Sequence, residues 1–193
     1  PKYIPMDEDH PVNPDNYYGA TKLMIENNLE WFSRLKGLRF AALRYFNAAG
    51  YDLKGRISGL ERNPQNLIPI IMEVATGKRK KMEVFGNDYN TIDGTGIRDY
   101  IHVSDLAIAH IQAYEYLEIE KKDLTVNLGT GSGLSVLEII KKAEEISGNN
   151  IEYEVTVRRP GDSGTVIASF DKANKLFGWQ PENSKLNTLL EST

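Results

Sequence analysis

The 193-residue sequence contains no cysteine. Disulfide frameworks, thiolate zinc sites, iron–sulfur clusters and a cysteine nucleophile are therefore excluded. No apolar run approaches the length of a membrane-crossing helix, so no membrane association is expected. There is no Asn-x-Ser/Thr sequon, and no charged-then-apolar leader precedes the first expected helix, which points to a cytoplasmic location. Surplus positive charge is also lacking: 23 Lys and Arg stand against 27 Asp and Glu, a net charge of −4. A phosphate backbone is held by excess basic charge, so nucleic acid is not an expected partner. The three histidines, His10, His102 and His110, have no ligand spacing, and no metal centre is expected. Internal repeats and low-complexity segments are absent. What is present is 40% hydrophobic residues, enough for a proper core. The length suits one large domain or two small ones. The chain opens on Pro1, and its last apolar pattern, Leu186, Leu189 and Leu190, runs almost to the final residue. Both ends suggest a piece of a longer protein.

Residues 1–16 carry Pro1, Pro5, Pro11 and Pro14 without a sustained period and predict a proline-stiffened loop. Ile25, Leu29 and Phe32 share one face of a helix predicted from about Tyr17 to Lys36, ended by Gly37. Leu38 to Phe46 predicts a buried strand, with Asn47 to Gly50 as the turn at its carboxyl end. Residues 51–66 have no periodicity and predict a long loop, which in a compact domain usually carries function. A short helix follows from Leu67 to about Thr76, stopped by Gly77. Met82–Phe85 and Arg98–Val103 predict strands on either side of a second long loop. Ser104 is expected to cap a helix reaching about Glu118. Leu124–Leu128 predicts a strand, Gly129–Leu134 a turn, and Ser135–Ser147 a helix opened by a Ser135/Glu138 capping box. Ile151–Val157 and a segment around Val166–Ala168 predict strands. Helices are predicted near Asp171–Phe177 and after Lys185. Strands alternating with helices indicate an α/β architecture.

Tyr18 and Lys22 stand four apart, hence one turn apart on one helix face. A phenol titrates near 10 and is a poor proton acceptor at neutral pH until an ammonium stabilises its anion. Such a pair suits acid/base work, though a surface Tyr beside a solvated Lys has the same pattern. Gly129-Thr130-Gly131-Ser132-Gly133 follows a strand and opens a helix, where a dinucleotide-binding turn belongs. The G-x-G-x-x-G fingerprint needs glycine at 134, however, and Leu134 stands there, so a tight strand-to-helix turn is the expected role. Arg98 and Arg159 lie in glycine-bearing loops. Converged, two guanidinium forks would suit a pyrophosphate; apart, each is an ordinary surface cation. Lys78-Arg79-Lys80-Lys81 just past a helix end is expected to be a solvated face. Asp88, Asn90, Asp93 and Gly94 are out of register for a calcium loop.

Taken in order, several segments resemble the UDP-glucose 4-epimerase family of the extended short-chain dehydrogenase/reductases. They are Tyr18-Gly19-Ala20-Thr21-Lys22, Leu43-Arg44-Tyr45-Phe46-Asn47 and Asn66-Leu67-Ile68-Pro69, then the run from Val84 to Val103, Asn127 to Gly131, and Arg159-Pro160-Gly161-Asp162. The resemblance spans essentially the whole chain, and the Val84–Val103 stretch is its most specific part. It implies the end of a Rossmann-like parallel sheet, 1–50 with 101–130, plus a smaller mixed α/β substrate-binding lobe, mainly 51–193. It also implies NAD as cofactor, a UDP-hexose as substrate and a homodimer at full length. In the family, NAD takes hydride from C4 of the hexose while a tyrosine takes the hydroxyl proton, and the hydride returns to the other face. By resemblance, Tyr18 is the acid/base, Lys22 lowers its pKa, and both contact the cofactor together with Tyr45 and Phe46. Asn47, Asn66 and Leu67 approach the UDP-sugar, Met82, Glu83, Val84 and Phe85 line the uridine site, and Tyr100 is a further substrate-binding residue. Arg98 and Arg159 hold the diphosphate, Asp162 takes the uridine ribose, and Val166 stands where some members carry Tyr beside the sugar.

The family's glycine-rich NAD loop, its adenine-ribose acid and its active-site Ser/Thr would lie before Pro1, so this chain alone is expected to be inactive. An apolar edge and face left uncovered would favour oligomerisation or poor solubility. A smaller residue at 166 leaves UDP-N-acetylhexosamines open. Related nucleotide-sugar dehydratases and decarboxylases, and a non-catalytic UDP-sugar-binding module, are the alternatives.

Overall fold

The computed structural model describes residues 1–57 and 61–193; part of the long loop expected over 51–66 thus lies outside the described residues. In chain order the elements are α1 (Tyr17–Lys36), β1 (Ala41–Tyr45), β2 (Asn47–Ala49), α2 (Leu67–Ala75), β3 (Met82–Phe85), β4 (Ile97–Arg98) and β5 (Tyr100–His102). They continue with α3 (Val103–Glu120), β6 (Leu124–Leu128), β7 (Leu134–Ser135), α4 (Val136–Ser147), β8 (Tyr153–Thr156), β9 (Thr165–Val166), α5 (Asp171–Phe177) and α6 (Leu186–Glu191). Three strand pairs are parallel, β1 with β6, β2 with β5 and β3 with β8, while β4 runs antiparallel to β7 and parallel to β9. Parallel strands separated by helices make this a mixed α/β fold.

Where local chemistry sets an end, expectation and structure agree. The Asn16 side chain accepts the Gly19 N–H at 2.8 Å, and left-handed Gly37 returns its own N–H to the Ser33 carbonyl at 2.9 Å. Those two bonds satisfy one orphan group at each end of α1. Ser135 and Glu138 form the expected capping box on α4.

Where a distant partner decides, the structure departs from the sequence pattern. Residues 47–50 are not simply a turn: Asn47 donates both its backbone N–H and its side-chain amide to the Asp99 carbonyl, at 3.1 and 2.9 Å, and the segment enters β2. The strand expected over 98–103 breaks at Asp99, so that β4 and β5 belong to different sheets. The strands expected at 38–46 and 151–157 are shorter, and 166–168 gives way to Thr165–Val166.

Ser104 does not cap α3. His102 does, its Nδ1 accepting the Ser104 N–H at 3.0 Å while Nε2 meets Ser192 Oγ at 3.0 Å. His102 is fully buried, and burial holds its pKa below the usual value of 6.5. A proton on Nδ1 would remove the cap's acceptor. The unfolded chain binds that proton more readily, so stability falls as pH drops from about 6.5 through the lowered folded value. Thermal melts between about pH 5 and 8 should show this loss, and His102→Asn, which keeps an N-cap acceptor, should flatten it. An unchanged slope in that variant would assign the acid loss to other groups.

Two apolar clusters organise the interior. One joins α2, β3, α4 and α6 around Ile68, Ile71, Val84, Ile139 and Leu189. The other joins α3, β1, β6 and α5 around Ile101, Val126, Leu128 and Trp179. Trp179 is buried, donates its indole N–H to the Asp105 carbonyl at 2.9 Å and meets Phe170 edge-on. By contrast, Ile25, Trp31, Phe32 and Leu35 of α1 are exposed, and among the described residues β1 pairs along one edge only. An apolar face and a strand edge are thus uncovered, as anticipated.

Candidate functional site

Beside the first of these clusters lies a cavity of about 820 Å³. The β1–β2 junction contributes Phe46 and Asn47, and the start of α2 contributes Asn66 and Leu67. All of β3, Met82 to Phe85, forms a wall, and Arg98 and Tyr100 enter from either side of Asp99. Arg159 and Asp162 come from the loop between β8 and β9. The two arginine loops therefore do converge on one space, although 61 residues separate them (159 − 98).

Their present contacts are internal. Arg98 Nη1 donates to the Ile97 carbonyl at 2.9 Å, and its Nη2 stands 3.5 Å from Asp162 Oδ1. The Arg159 guanidinium stacks on the Phe85 ring, 3.8 Å from its centroid. Burial pushes the Tyr100 phenol up to about 12, so it stays protonated and can donate.

Arg79 and Lys81 correct the expectation of a simply solvated basic run. Both line the cavity, Arg79 paired with Glu73 at 2.9 Å and Lys81 with Glu154 at 2.5 Å. Glu154 reaches this wall because β8 lies in register with β3, opposite Glu83. Nothing local in the sequence announces that neighbour. Tyr89, also in the lining, is buried with its hydroxyl unpartnered. It sits inside the Val84–Val103 stretch, and the missing clue was only what its ring packs against.

Four expected site residues are not in the lining. Tyr18 and Lys22 are exposed, Lys22 Nζ lying 5.1 Å from the Tyr18 ring centroid. Tyr45 is half exposed, tilted against His110, and Val166 lies in register with Arg98 on β9. An ion pair between Arg44 and Glu26 fixes α1 against β1. One and two turns toward the start of the helix, Lys22 and Tyr18 extend toward the carboxyl end of β1. That is the end of a parallel strand at which open α/β sheets bind ligands.

The glycine-rich turn is packed with protein. A Cβ on Gly133 would strike Ile97, and one on Gly129 would strike the Ala168 carbonyl. At these two glycines the turn is a packing joint. Among the described residues, no cluster of His, Asp or Glu is placed to hold a metal ion, and no helix is long and apolar enough to cross a membrane.

Parallel strands joined through helices, with a cavity beside them, define a protein of mixed α/β type. The family described as GDP-mannose 4,6 dehydratase matches residues 1–193. The chain belongs to this family, within the extended short-chain dehydrogenase/reductases. A UDP-glucose 4-epimerase from Halalkalibacterium halodurans is 46% identical over 192 residues, covering 99% of this chain and 57% of that protein. The chain thus spans little more than half the length of the curated relatives it matches. The UDP-glucose 4-epimerase structure from Brucella ovis in complex with NAD superposes with a TM-score of 0.95 at 40% identity, over 99% of this chain and 59% of that one. That from Bifidobacterium longum in complex with NAD+ and UDP gives 0.91 at 38%, over 100% and 58%. The fold is accordingly of Rossmann type.

Proposed function

We propose that the cavity takes the UDP portion of a UDP-hexose and that the whole protein is a UDP-glucose 4-epimerase. It would interconvert UDP-glucose and UDP-galactose through a transient 4-keto sugar. The convergence of Arg98 and Arg159 on a cavity walled by Phe85 carries this reading. Two guanidinium forks supply what a diphosphate requires, and an aromatic wall suits a base. Asn47, Asn66, Leu67 and Tyr100 complete the substrate side, with Asp162 freed from Arg98 to meet a ribose hydroxyl. A tight grip on the non-reacting diphosphate leaves the sugar free to present either face.

NAD, bound in part outside this chain, would supply a hydride acceptor and donor at C4. The residues here that fit it are Tyr18, Lys22, Tyr45 and Phe46, grouped about the carboxyl end of β1. Tyr18 would exchange the proton of the C4 hydroxyl, with the Lys22 ammonium one turn away on the same helix face. We read the cluster around β1 and β6 as the cofactor lobe and that around α2 and α4 as the substrate lobe. The exposed apolar face of α1 supports a homodimer at full length, and a cytoplasmic location accompanies this assignment.

Calorimetry of UDP against the 193-residue chain tests the proposal. Micromolar binding is expected, weakened roughly 10- to 100-fold by Arg98→Ala or Arg159→Ala, since a charge-assisted contact contributes about 1.5–3 kcal/mol. A folded chain, checked by far-UV dichroism, that fails to bind UDP would overturn it. Titrating UDP-glucose and UDP-N-acetylglucosamine in parallel decides whether valine at 166 admits an N-acetyl group.

A further inference from the structure

The loop from Val157 to Ser163 carries Arg159 and Asp162 into the cavity, yet it has little structure of its own. Its internal backbone hydrogen bond is a single turn contact, Asp162 N–H to the Arg159 carbonyl at 3.2 Å, around Pro160 and left-handed Gly161. Residues 157–162 are all exposed. Six residues so exposed would sample many conformations, and presenting two ligand-binding groups in one geometry has an entropic cost.

Arg158 supplies the missing constraint. Its Nε donates to Asp88 Oδ1 at 2.7 Å and its Nη2 to the Asp88 carbonyl at 2.5 Å. Its guanidinium also lies over the Tyr89 ring, 4.2 Å from the centroid. Space for this clamp is made at Gly86, where a Cβ would meet Arg158 Cγ at 2.7 Å and Tyr89 Cε2 at 2.9 Å. Tyr89 is buried and leads directly to the cavity wall, whereas neither Arg158 nor Asp88 lines it. One side chain thus ties the strap to the 86–89 turn, immediately before the arginine that enters the site.

Resting on the nucleotide assignment above, we propose that Arg158 is a positioning residue: clamped by Asp88 and Tyr89, it holds the 157–163 strap so that Arg159 and Asp162 are presented to a nucleoside diphosphate. It touches no ligand itself. Its removal raises the ordering cost of binding, and the bound complex loses the contact that keeps the strap closed.

UDP and uridine binding to the 193-residue chain, measured by calorimetry and stopped flow, provide the test. Arg158→Ala should weaken UDP about five- to tenfold, chiefly through faster dissociation, while leaving the melting temperature nearly unchanged. Uridine, which lacks the diphosphate that Arg159 would hold, should lose clearly less. Arg158→Lys should rescue only part, because an ammonium lacks the two-pronged fork. Asp88→Ala should weaken UDP similarly, and the double variant should be no worse than the poorer single one. UDP affinity within twofold of the parent in Arg158→Ala, equal losses for UDP and uridine, or additive losses in the double variant would overturn the proposal. A folded parent chain that binds no UDP would overturn both this role and the nucleotide assignment.

Discussion

Asp99→Ala should destabilise the chain by about 2–4 kcal/mol, because it removes the acceptor of the buried Ala168 N–H and of the half-buried Thr130 N–H at once, while the Thr130 hydroxyl keeps the Ser132 carbonyl. Asp99 is fully buried. Its carboxylate accepts the Thr130 N–H at 3.0 Å, the Thr130 hydroxyl at 2.8 Å and the Ala168 N–H at 3.1 Å. Those donors come from the turn after β6 and from the segment after β9, so one side chain joins three stretches of chain. Asp99→Asn keeps the shape but points an amide donor at donors, and should fall between parent and alanine. Burial outweighs these hydrogen bonds and raises the Asp99 pKa. The folded chain therefore holds this proton more readily than the unfolded one. Stability from this group is largest below the ordinary carboxylate range and declines as pH rises through the folded value, opposite in sense to His102. Denaturant melts of the three proteins at neutral pH measure the effect; a loss below about 1 kcal/mol for Asp99→Ala would mean that water replaces the carboxylate. Arg98 and Tyr100 flank this residue in the cavity wall, so UDP binding should weaken together with stability.

Gly129→Ala should have an effect of similar size for a steric reason. The added methyl would overlap the Ala168 carbonyl oxygen and approach the Ala168 Cβ to 2.7 Å. A backbone atom cannot swing aside as a side chain end can. Overpacking usually costs about 1–3 kcal/mol, and this site should reach or exceed the upper figure. Gly131→Ala is the control. Its φ of 71° disfavours a side chain, but the nearest atom, Phe170 Cε1, is 3.8 Å away. It should lose only about 1 kcal/mol. Melting temperatures for the two variants separate close packing from backbone strain. If both melted like the parent, close packing would not be what holds this turn.

The same junction marks the boundary of what could be read in advance. The carboxyl end of α1 and the start of α4 were legible because Gly37, Ser135 and Glu138 act on groups within four residues of themselves. Failure of the glycine run as a dinucleotide fingerprint was legible from Leu134 alone. The break at Asp99 was not. Apolar Ile97, Tyr100 and Ile101 look like one strand, and only Thr130 and Ala168, 31 and 69 residues away, turn the chain between two sheets. Arg79, Lys81 and Glu154 were missed likewise, since the β3–β8 pairing that brings Glu154 to the wall is invisible in either strand.

Sequence by itself determined the α/β class, the order of the helices, the absence of thiol chemistry and the ordered residues that resemble the epimerase family. Tertiary structure decided which of those residues share a cavity, that Tyr18 and Lys22 stand on an exposed helix, that His102 caps α3, and that Arg158 clamps the strap. The division follows from the range of the forces. Caps, turns and periodicity are settled among neighbours along the chain, whereas a cavity is made by side chains whose proximity exists only after distant apolar faces have packed.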